Sequence, residues 1–390
     1  MRSKRLEQLP PYLFVEIDGL RASYLQSGRS VLDLGIGDPD LGAPNELVEA
    51  LGSALSKTAH HRYPPSRGLN RLIDAVRSWA ATRHGAAVDR DEVLVTIGSK
   101  EAIAHLSLAI VDPGDAVLVP DPGYPVYCAS ASFAGASCVR MPLDEALGYK
   151  PDFRDLARRD LSRARLMFLN YPNNPTSAIA DRAFYRDAIE FCRSRGMALA
   201  SDAAYGEIWY EEPTVPLFPL AREAGIPHIE FFSFSKTFSI TGWRVGFAIG
   251  SREIIASLSQ LKNNIDSGVF GAIQEAVADT MERHYDRILD RIRAVYRERR
   301  DALAAHLERS GLSFTVPRAT FYFWVRTPRG AGSMEFCRYL LEECGIVATP
   351  GVGFGGSGEG HFRLSITADT EIVREAGRRI EALRARISAE

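Results

Sequence analysis

The run Phe231-Phe232-Ser233-Phe234-Ser235-Lys236-Thr237-Phe238 sets one lysine in a stretch that is otherwise aromatic or hydroxylated. An ammonium in such surroundings loses hydration, so its pKa falls and the neutral amine becomes free to attack an aldehyde. Taken alone, the run also suits a core strand whose lysine reaches out to solvent. Three further segments carry groups that could act with it. Ser201-Asp202-Ala203-Ala204-Tyr205 follows an apolar run, so Asp202 sits where α/β sheets build their sites, at the carboxyl end of a strand. A carboxylate there can pair with a protonated pyridine nitrogen, a contact of about 1.5–3 kcal/mol that keeps the ring cationic and able to take up a carbanion's electrons. By itself Asp202 reads first as a helix N-cap. Asn170-Tyr171-Pro172-Asn173-Asn174-Pro175-Thr176 also follows a strand; a turn explains its prolines and leaves the asparagine pair free. In Thr96-Ile97-Gly98-Ser99-Lys100-Glu101-Ala102, a strand, a glycine and a helix start follow in order. Backbone amides at such a start can cradle a phosphate, with the Ser99 hydroxyl as a further donor, although an ordinary capped helix reads the same way.

These groups need a scaffold, and from about residue 90 to 260 short apolar runs alternate with longer amphipathic ones, which is an α/β pattern. Strands are expected at Val93 to Ile97, Ala116 to Val119, Arg165 to Asn170, Met197 to Ser201, Ile229 to Ser233 and Val245 to Ile249, with helices at Glu101 to Val111 and Asp181 to Arg195. Several strands are apolar on both parities, as a sheet covered on both faces requires. Ala272 to Arg309 reads as long helix, with a break left open, that bridges two domains. A strand near Phe321 to Val325, a helix near Met334 to Cys344, a strand near Phe362 to Ile366 and a last helix complete an α+β tail expected to pack with the N-terminal segment.

The 390 residues can bury a large core without a disulfide or structural metal. A composition of 46% hydrophobic and 25% charged residues with net charge -2 offers no electrostatic reason for nucleic acid or membrane binding. The five cysteines are odd in number, widely spaced and lack a CxxC pair, which fits a reducing, cytoplasmic setting. MRSKRLEQLPPY has no apolar signal region, and no stretch nears the roughly 20 apolar residues that span a bilayer.

Taken together, in this order and spacing, the four segments resemble the class I and II aminotransferases of fold type I, from about Leu32 to the C-terminus. The resemblance implies an aspartate-aminotransferase-like α/β fold: a large domain over 46–275 with a mostly parallel central sheet flanked by helices, and a smaller α+β domain from 1–45 and 276–390. It implies pyridoxal 5'-phosphate as cofactor, with Lys236 as the lysine that bonds its aldehyde and later moves the substrate's α-proton. Asp202 would hold the pyridine nitrogen, and Asn174 and Tyr205 the phenolic oxygen. Ser99, Ser233 and Arg244, with the amides of Ser99 and Lys100, would bind the phosphate; Arg244 lies eight positions after the lysine, as that family asks. Tyr124, in Asp121-Pro122-Gly123-Tyr124-Pro125, would stack on the ring. Tyr63, in Arg62-Tyr63-Pro64, matches the tyrosine that reaches a neighbouring subunit's phosphate, so a homodimer is implied. Gly37, in Gly35-Ile36-Gly37-Asp38-Pro39, would approach the substrate, as would Asn174. Arg363, in Phe362-Arg363-Leu364-Ser365-Ile366, would grip the substrate carboxylate with its planar fork. One departure is Ser177, where the family usually has glycine after Asn-Pro-Thr; this puts the local turn geometry in question.

The implied activity is a ping-pong transfer of an amino group from an amino acid to a 2-oxo acid. Gly98 to Leu106 and Asn264 to Phe270 look most like the branch holding LL-diaminopimelate, alanine and aspartate enzymes. Another reaction on the same cofactor, by a lyase, decarboxylase or oxidase, is the alternative, since the cofactor supports all of these; a non-catalytic ligand sensor is a further one. Gly351, Gly353 and Gly356 satisfy GxGxxG, but a loop and strand follow where a dinucleotide site requires a helix. Gly98-Ser99-Lys100 has the wrong order for a Walker A loop, and the eight histidines show no metal-ligand spacing.

Overall fold

The computed structural model describes residues 3–7, 9, 19, 24, 25 and 30–384. Thirteen strands follow in chain order among them: β1 (Leu32–Asp33), β2 (Val93–Thr96), β3 (Ala116–Asp121), β4 (Ser137–Asp144), β5 (Lys150–Pro151), β6 (Ala164–Asn170), β7 (Ala198–Asp202), β8 (His228–Ser233), β9 (Gly246–Gly250), β10 (Tyr322–Arg326), β11 (Ile346–Val347), β12 (Thr349–Pro350) and β13 (His361–Ser365). Eight form a central sheet in the order β2-β9-β8-β7-β6-β3-β4-β5. The run β4-β3-β6-β7-β8 is parallel, while β9 is antiparallel to both β8 and β2. A three-stranded antiparallel sheet β10-β13-β12 and a short parallel pair β1-β11 lie outside it.

The double apolar parity of the parallel strands has the cause inferred for it. In β6, Leu166 and Phe168 pack with the face carrying helices Gly98–Ile110, Val126–Ala134 and Arg252–Lys262, while Met167 and Leu169 pack on the opposite face with helix Arg182–Arg193. β3 repeats the arrangement, with Val117 and Val119 on one side and Leu118 on the other. β4, which was not expected, alternates buried and exposed positions toward its end; with one covered face it lacks the apolar run that marks its neighbours. The long helical stretch is two helices, Gly271–Arg283 and Tyr285–Ser310, separated at His284, whose φ of -135° and ψ of 2° leave the helical region. Gly351 to Gly358 forms two short 3-10 turns before β13, in place of the α-helix that a dinucleotide site requires.

Cys128 and Cys138 form a disulfide, with a Cα separation of 5.4 Å. Spacing in the chain did not point to it. The pair arises because helix Val126–Ala134 leads through a left-handed turn at Gly135 directly into β4. Cys192, Cys337 and Cys344 are buried free thiols.

Glu230 on β8 is fully buried and supports a neighbouring element: it accepts hydrogen bonds from the amides of Leu217 and Phe218, at the start of helix Phe218–Ala224, and from Ser201 Oγ. Burial pushes its pKa up to about 7, against the lowering effect of those three bonds. A carboxyl whose folded pKa lies above its unfolded value stabilises the fold fully below the unfolded value, and this contribution is lost as pH rises through the folded one. Denaturant melts should therefore show stability falling between about pH 4.5 and 7, by up to roughly 3 kcal/mol. Glu230→Gln should flatten that slope, because the amide does not titrate. A slope unchanged in the variant would remove Glu230 as its source.

Candidate active site

The sheet topology brings the chemical segments to one rim. β6, β7 and β8 are parallel neighbours, so their carboxyl ends deliver Asn170, Asp202 and Ser233 side by side. β3 runs the same way and leads to Tyr124. β9 is reversed, so its first residue, Gly246, lies opposite Ser233 on this rim and Arg244 arrives just before it. β2 is reversed again; Thr96 pairs with Gly246, and helix Gly98–Ile110 starts two residues later. A cavity of about 420 Å3 opens here. It is lined by Gly37, Ser99, Lys100, Tyr124, Asn174, Asp202, Tyr205, Ser233, Lys236, Arg244 and Arg363. Tyr63 is not among them; it is 89% exposed on the surface of the chain.

Lys236 brings an amine to the cavity wall. Its Nζ donates to Gly37 O at 3.0 Å and lies 5.6 Å from the centre of the Phe321 ring. Burial lowers its pKa to about 8; Asp38 opposes this, and the Arg363 and Arg244 guanidiniums add to it. A sizeable neutral fraction near pH 8 is what a nucleophilic lysine needs. Asp202 faces the cavity from β7 with its pKa raised by burial to about 6. Its carboxylate accepts from Tyr127 Oη at 2.8 Å and Ala204 N at 3.1 Å, partners that are a phenol and an amide rather than cations. Such a group suits a cationic ring nitrogen.

Asn170 ties this acid to the proline-rich loop. Its amide nitrogen donates to Asp202 O at 2.8 Å, and its side-chain oxygen accepts from Asn174 N at 2.8 Å. Asn174 in turn accepts from Arg363 Nη1 at 2.8 Å, and Arg363 Nη2 donates to Gly35 O at 2.7 Å. The guanidinium lies 4.2 Å from the centre of the Tyr322 ring and is 2% exposed, with Nε buried and unbonded. Tyr322 Oη meets Tyr205 Oη at 2.9 Å. Gly37 is held to glycine by the same ring, since a Cβ there would fall 2.0 Å from Tyr322 Oη.

The far end of the cavity suits an anion. Helix Gly98–Ile110 begins there, with its first amides not yet used within the helix. Gly98 takes φ of +69°, and a Cβ on it would come within 2.6 Å of Arg244 Nη2. Arg244, itself at φ of 54°, donates to Thr241 O at 2.7 Å and to Ser235 Oγ at 3.4 Å. An amine, a buried acid without a cationic partner and a helix start suited to an anion thus line one cavity. Among the described residues no cluster of His, Cys, Asp and Glu could hold a metal.

Tyr127, Asn170, Ser235 and Tyr322 line or brace this cavity and were not singled out from sequence. Tyr127 carried a signal, standing three positions after Tyr124. Tyr322 carried none, because the aromatic run of β10 reads as core.

The fold and the cavity at the rim of its mixed α/β sheet point to an enzyme that handles amino groups. The chain belongs to the family described as aminotransferase class I and II, which its residues 29–380 match, and it is an aminotransferase. It is 45% identical over 387 residues to the LL-diaminopimelate aminotransferase of Syntrophobacter fumaroxidans, an alignment covering 98% of this chain and 99% of that one. Substrate-bound BacF from Bacillus subtilis superposes with a TM-score of 0.91 at 33% identity, over 98% of each chain. An aspartate aminotransferase mutant from Thermus thermophilus superposes with a TM-score of 0.92 at 28% identity, over 98% of this chain and all of that one.

Proposed function

We propose that the protein binds pyridoxal 5'-phosphate in this cavity and uses it to transfer the amino group of LL-diaminopimelate to a 2-oxo acid. The observation that carries the cofactor reading is that one cavity is lined by both Lys236, an amine with pKa lowered to about 8, and Asp202, a buried carboxylate without a cationic partner. Bound there, the cofactor supplies a carbonyl that exchanges with the amino group and a cationic ring that accepts the electron pair released at Cα. Lys236 would bond the cofactor's aldehyde carbon and, as a free amine, would take the proton from Cα. Asp202 would hold the ring nitrogen and Tyr124 would stack on the ring. Asn174 and Tyr205 would hold the phenolic oxygen. Ser99, Ser233, Arg244 and the amides of Ser99 and Lys100 would hold the phosphate, and Arg363 would orient the substrate carboxylate, with Asn174 and Gly37 near the substrate.

The substrate rests on the Syntrophobacter fumaroxidans relative, which is named an LL-diaminopimelate aminotransferase. Purified enzyme mixed with LL-diaminopimelate, alanine or aspartate should change its visible absorbance, with LL-diaminopimelate the fastest by at least about tenfold in kcat/KM, the size of one well-made specific contact. Equal rates for all three would discard the substrate, and no spectral change with any donor would discard the cofactor reading.

The same reading divides the chain into a large domain, 46–275, and a small one from 1–45 and 276–390; residues 1, 2, 8, 10–18, 20–23, 26–29 and 385–390 lie outside the described ones. It also makes the protein a homodimer, with Tyr63 reaching the partner's phosphate site. Tyr63 is exposed, as are Ile36, Ile265 and Phe270, and the turn at Gly268 lies close to Pro64, Pro65 and Ser66. Tyr63→Phe should weaken cofactor binding about fivefold to tenfold, the value of one hydrogen bond. Mixing inactive Lys236→Ala subunits with Tyr63→Phe subunits should restore tight binding at one site per hybrid dimer; without that gain the tyrosine serves its own chain or neither. A cytoplasmic setting completes the reading. No described helix is long and apolar enough to cross a membrane. In the cytoplasm the Cys128–Cys138 bond should be found reduced by the thiol pool, which intact mass after rapid alkylation would read.

A further inference from the structure

Five described non-glycine residues have positive φ: Tyr149, Ser177, Ser239, Arg244 and Thr320. Two of them, Ser177 at 61° and Thr320 at 65°, are hydrogen-bonded to each other, although they lie 143 residues apart. Both are buried. Backbone in this region is strained for any residue with a Cβ, so two adjacent instances call for a compensating interaction.

The proton inventory supplies it. Ser177 Oγ lies 2.6 Å from Tyr322 O and 2.6 Å from Thr320 Oγ1. The carbonyl can only accept, so the single Ser177 hydroxyl proton goes there, and Thr320 must donate to Ser177. Thr320 Oγ1 then accepts from Tyr322 N at 3.1 Å. The hydrogen bonds close a ring that leaves the Tyr322 main chain at its N–H and returns to it at its carbonyl, with every hydroxyl satisfied. On the other side, Ser177 N donates to Asn173 O at 2.9 Å, and Asn174 is the next residue.

We infer that Ser177 and Thr320 form a hydroxyl clasp that sets the spacing between the Asn174 loop and strand β10, making Ser177 a positioning residue for substrate binding. This rests on reading the cavity as the cofactor and substrate site. The clasp lies behind the wall that Tyr322, Arg363 and Asn174 present to the cavity: Arg363 bridges Asn174 and the Tyr322 ring on the open side, and the clasp bridges the same two segments at backbone level. A glycine at 177 adopts positive φ without strain but cannot bridge. The serine thus accepts a strained backbone in exchange for a fixed wall, and loss of the hydroxyl should be felt in the grip on the substrate carboxylate.

The test is Ser177→Gly in the full-length holoenzyme, read by the thermal midpoint and by KM and kcat for LL-diaminopimelate. Relief of strain should leave the midpoint unchanged or higher, while KM rises about fivefold to tenfold, the value of one lost hydrogen bond, and kcat moves less than threefold. Thr320→Ser, which keeps a hydroxyl, should hold native KM; Thr320→Val should reproduce the Ser177→Gly increase. A purely structural serine predicts the reverse pattern, a lower midpoint with native KM, and that result overturns the clasp. So does native KM with an unchanged midpoint. Lys236→Ala run in parallel separates the two levels of argument. If it is inactive while Ser177→Gly keeps native KM, only the clasp fails; if it remains active, the reading of the cavity fails first.

Discussion

Lys236→Ala should fold normally and lose amino transfer by at least about a thousandfold, because on the proposed reading one side chain both holds the cofactor and moves the α-proton. Proton transfer by a positioned group is worth about 10²–10⁴ in rate on its own, and loss of the bond to the cofactor adds to that. Stability offers an independent check. A lysine whose folded pKa is lowered to about 8 from 10.5 destabilises the native state wherever it is protonated. The penalty is complete below the folded value and disappears above the unfolded one. At pH 7 the cofactor-free alanine variant should therefore melt no lower than the cofactor-free parent. Single-turnover spectra with LL-diaminopimelate, set beside a melting curve, distinguish lost chemistry from lost folding. Activity within tenfold of the parent would take Lys236 out of the reaction.

Asp202→Asn should produce the next largest effect. The amide keeps the shape and can still meet Tyr127 Oη and Ala204 N, but it cannot hold a ring nitrogen in its cationic form. A charge-assisted hydrogen bond of about 1.5–3 kcal/mol corresponds to a kcat lower by roughly 10- to 150-fold. KM should change much less, since the charge matters most as electrons leave Cα. Cofactor-free protein should become more stable near pH 7 with this change. Asp202 has its pKa raised from 3.8 to about 6, so its ionised form burdens the fold above that pH, and the burden is absent below the unfolded value. A variant with native kcat would show that the acid is structural.

Much of the fold could be read from the chain because strands covered on both faces leave long apolar runs between turns. Leu166 to Leu169 is such a run, and its alternate residues enter two different cores. β4 escaped because its exposed positions interrupt the pattern. Helix Asn70–His84 escaped for a similar reason: its buried Leu72, Ile73, Val76 and Trp79 are separated by polar residues, and no side chain caps its start. The disulfide depended on a turn that only the folded chain makes. Within the cavity, residues that directly follow strands could be named, because a strand's carboxyl end is where α/β sheets place chemistry. Tyr127 and Tyr322 support the cavity from a helix and from a second sheet, and their contacts with Asp202 and Arg363 join segments far apart in sequence. Ser177 was noticed only as a misfit. Its reason, a bond to a strand nearly 150 residues on, exists only in three dimensions.

The reversal of β9 has a consequence for how this scaffold can change. Because β8 and β9 are adjacent and opposed, with Ser233 registered against Gly246, the stretch 234–245 leaves the rim and must return to it within one strand spacing. Inserting or deleting one residue there would shift β9 against both neighbours or drag the guanidinium of Arg244 away from the amides at Gly98. The segment is therefore intolerant of length variation even where its individual side chains can be exchanged. Connections on the opposite rim, such as the turn from helix Arg182–Arg193 into β7, lie away from the cavity and place none of its lining residues.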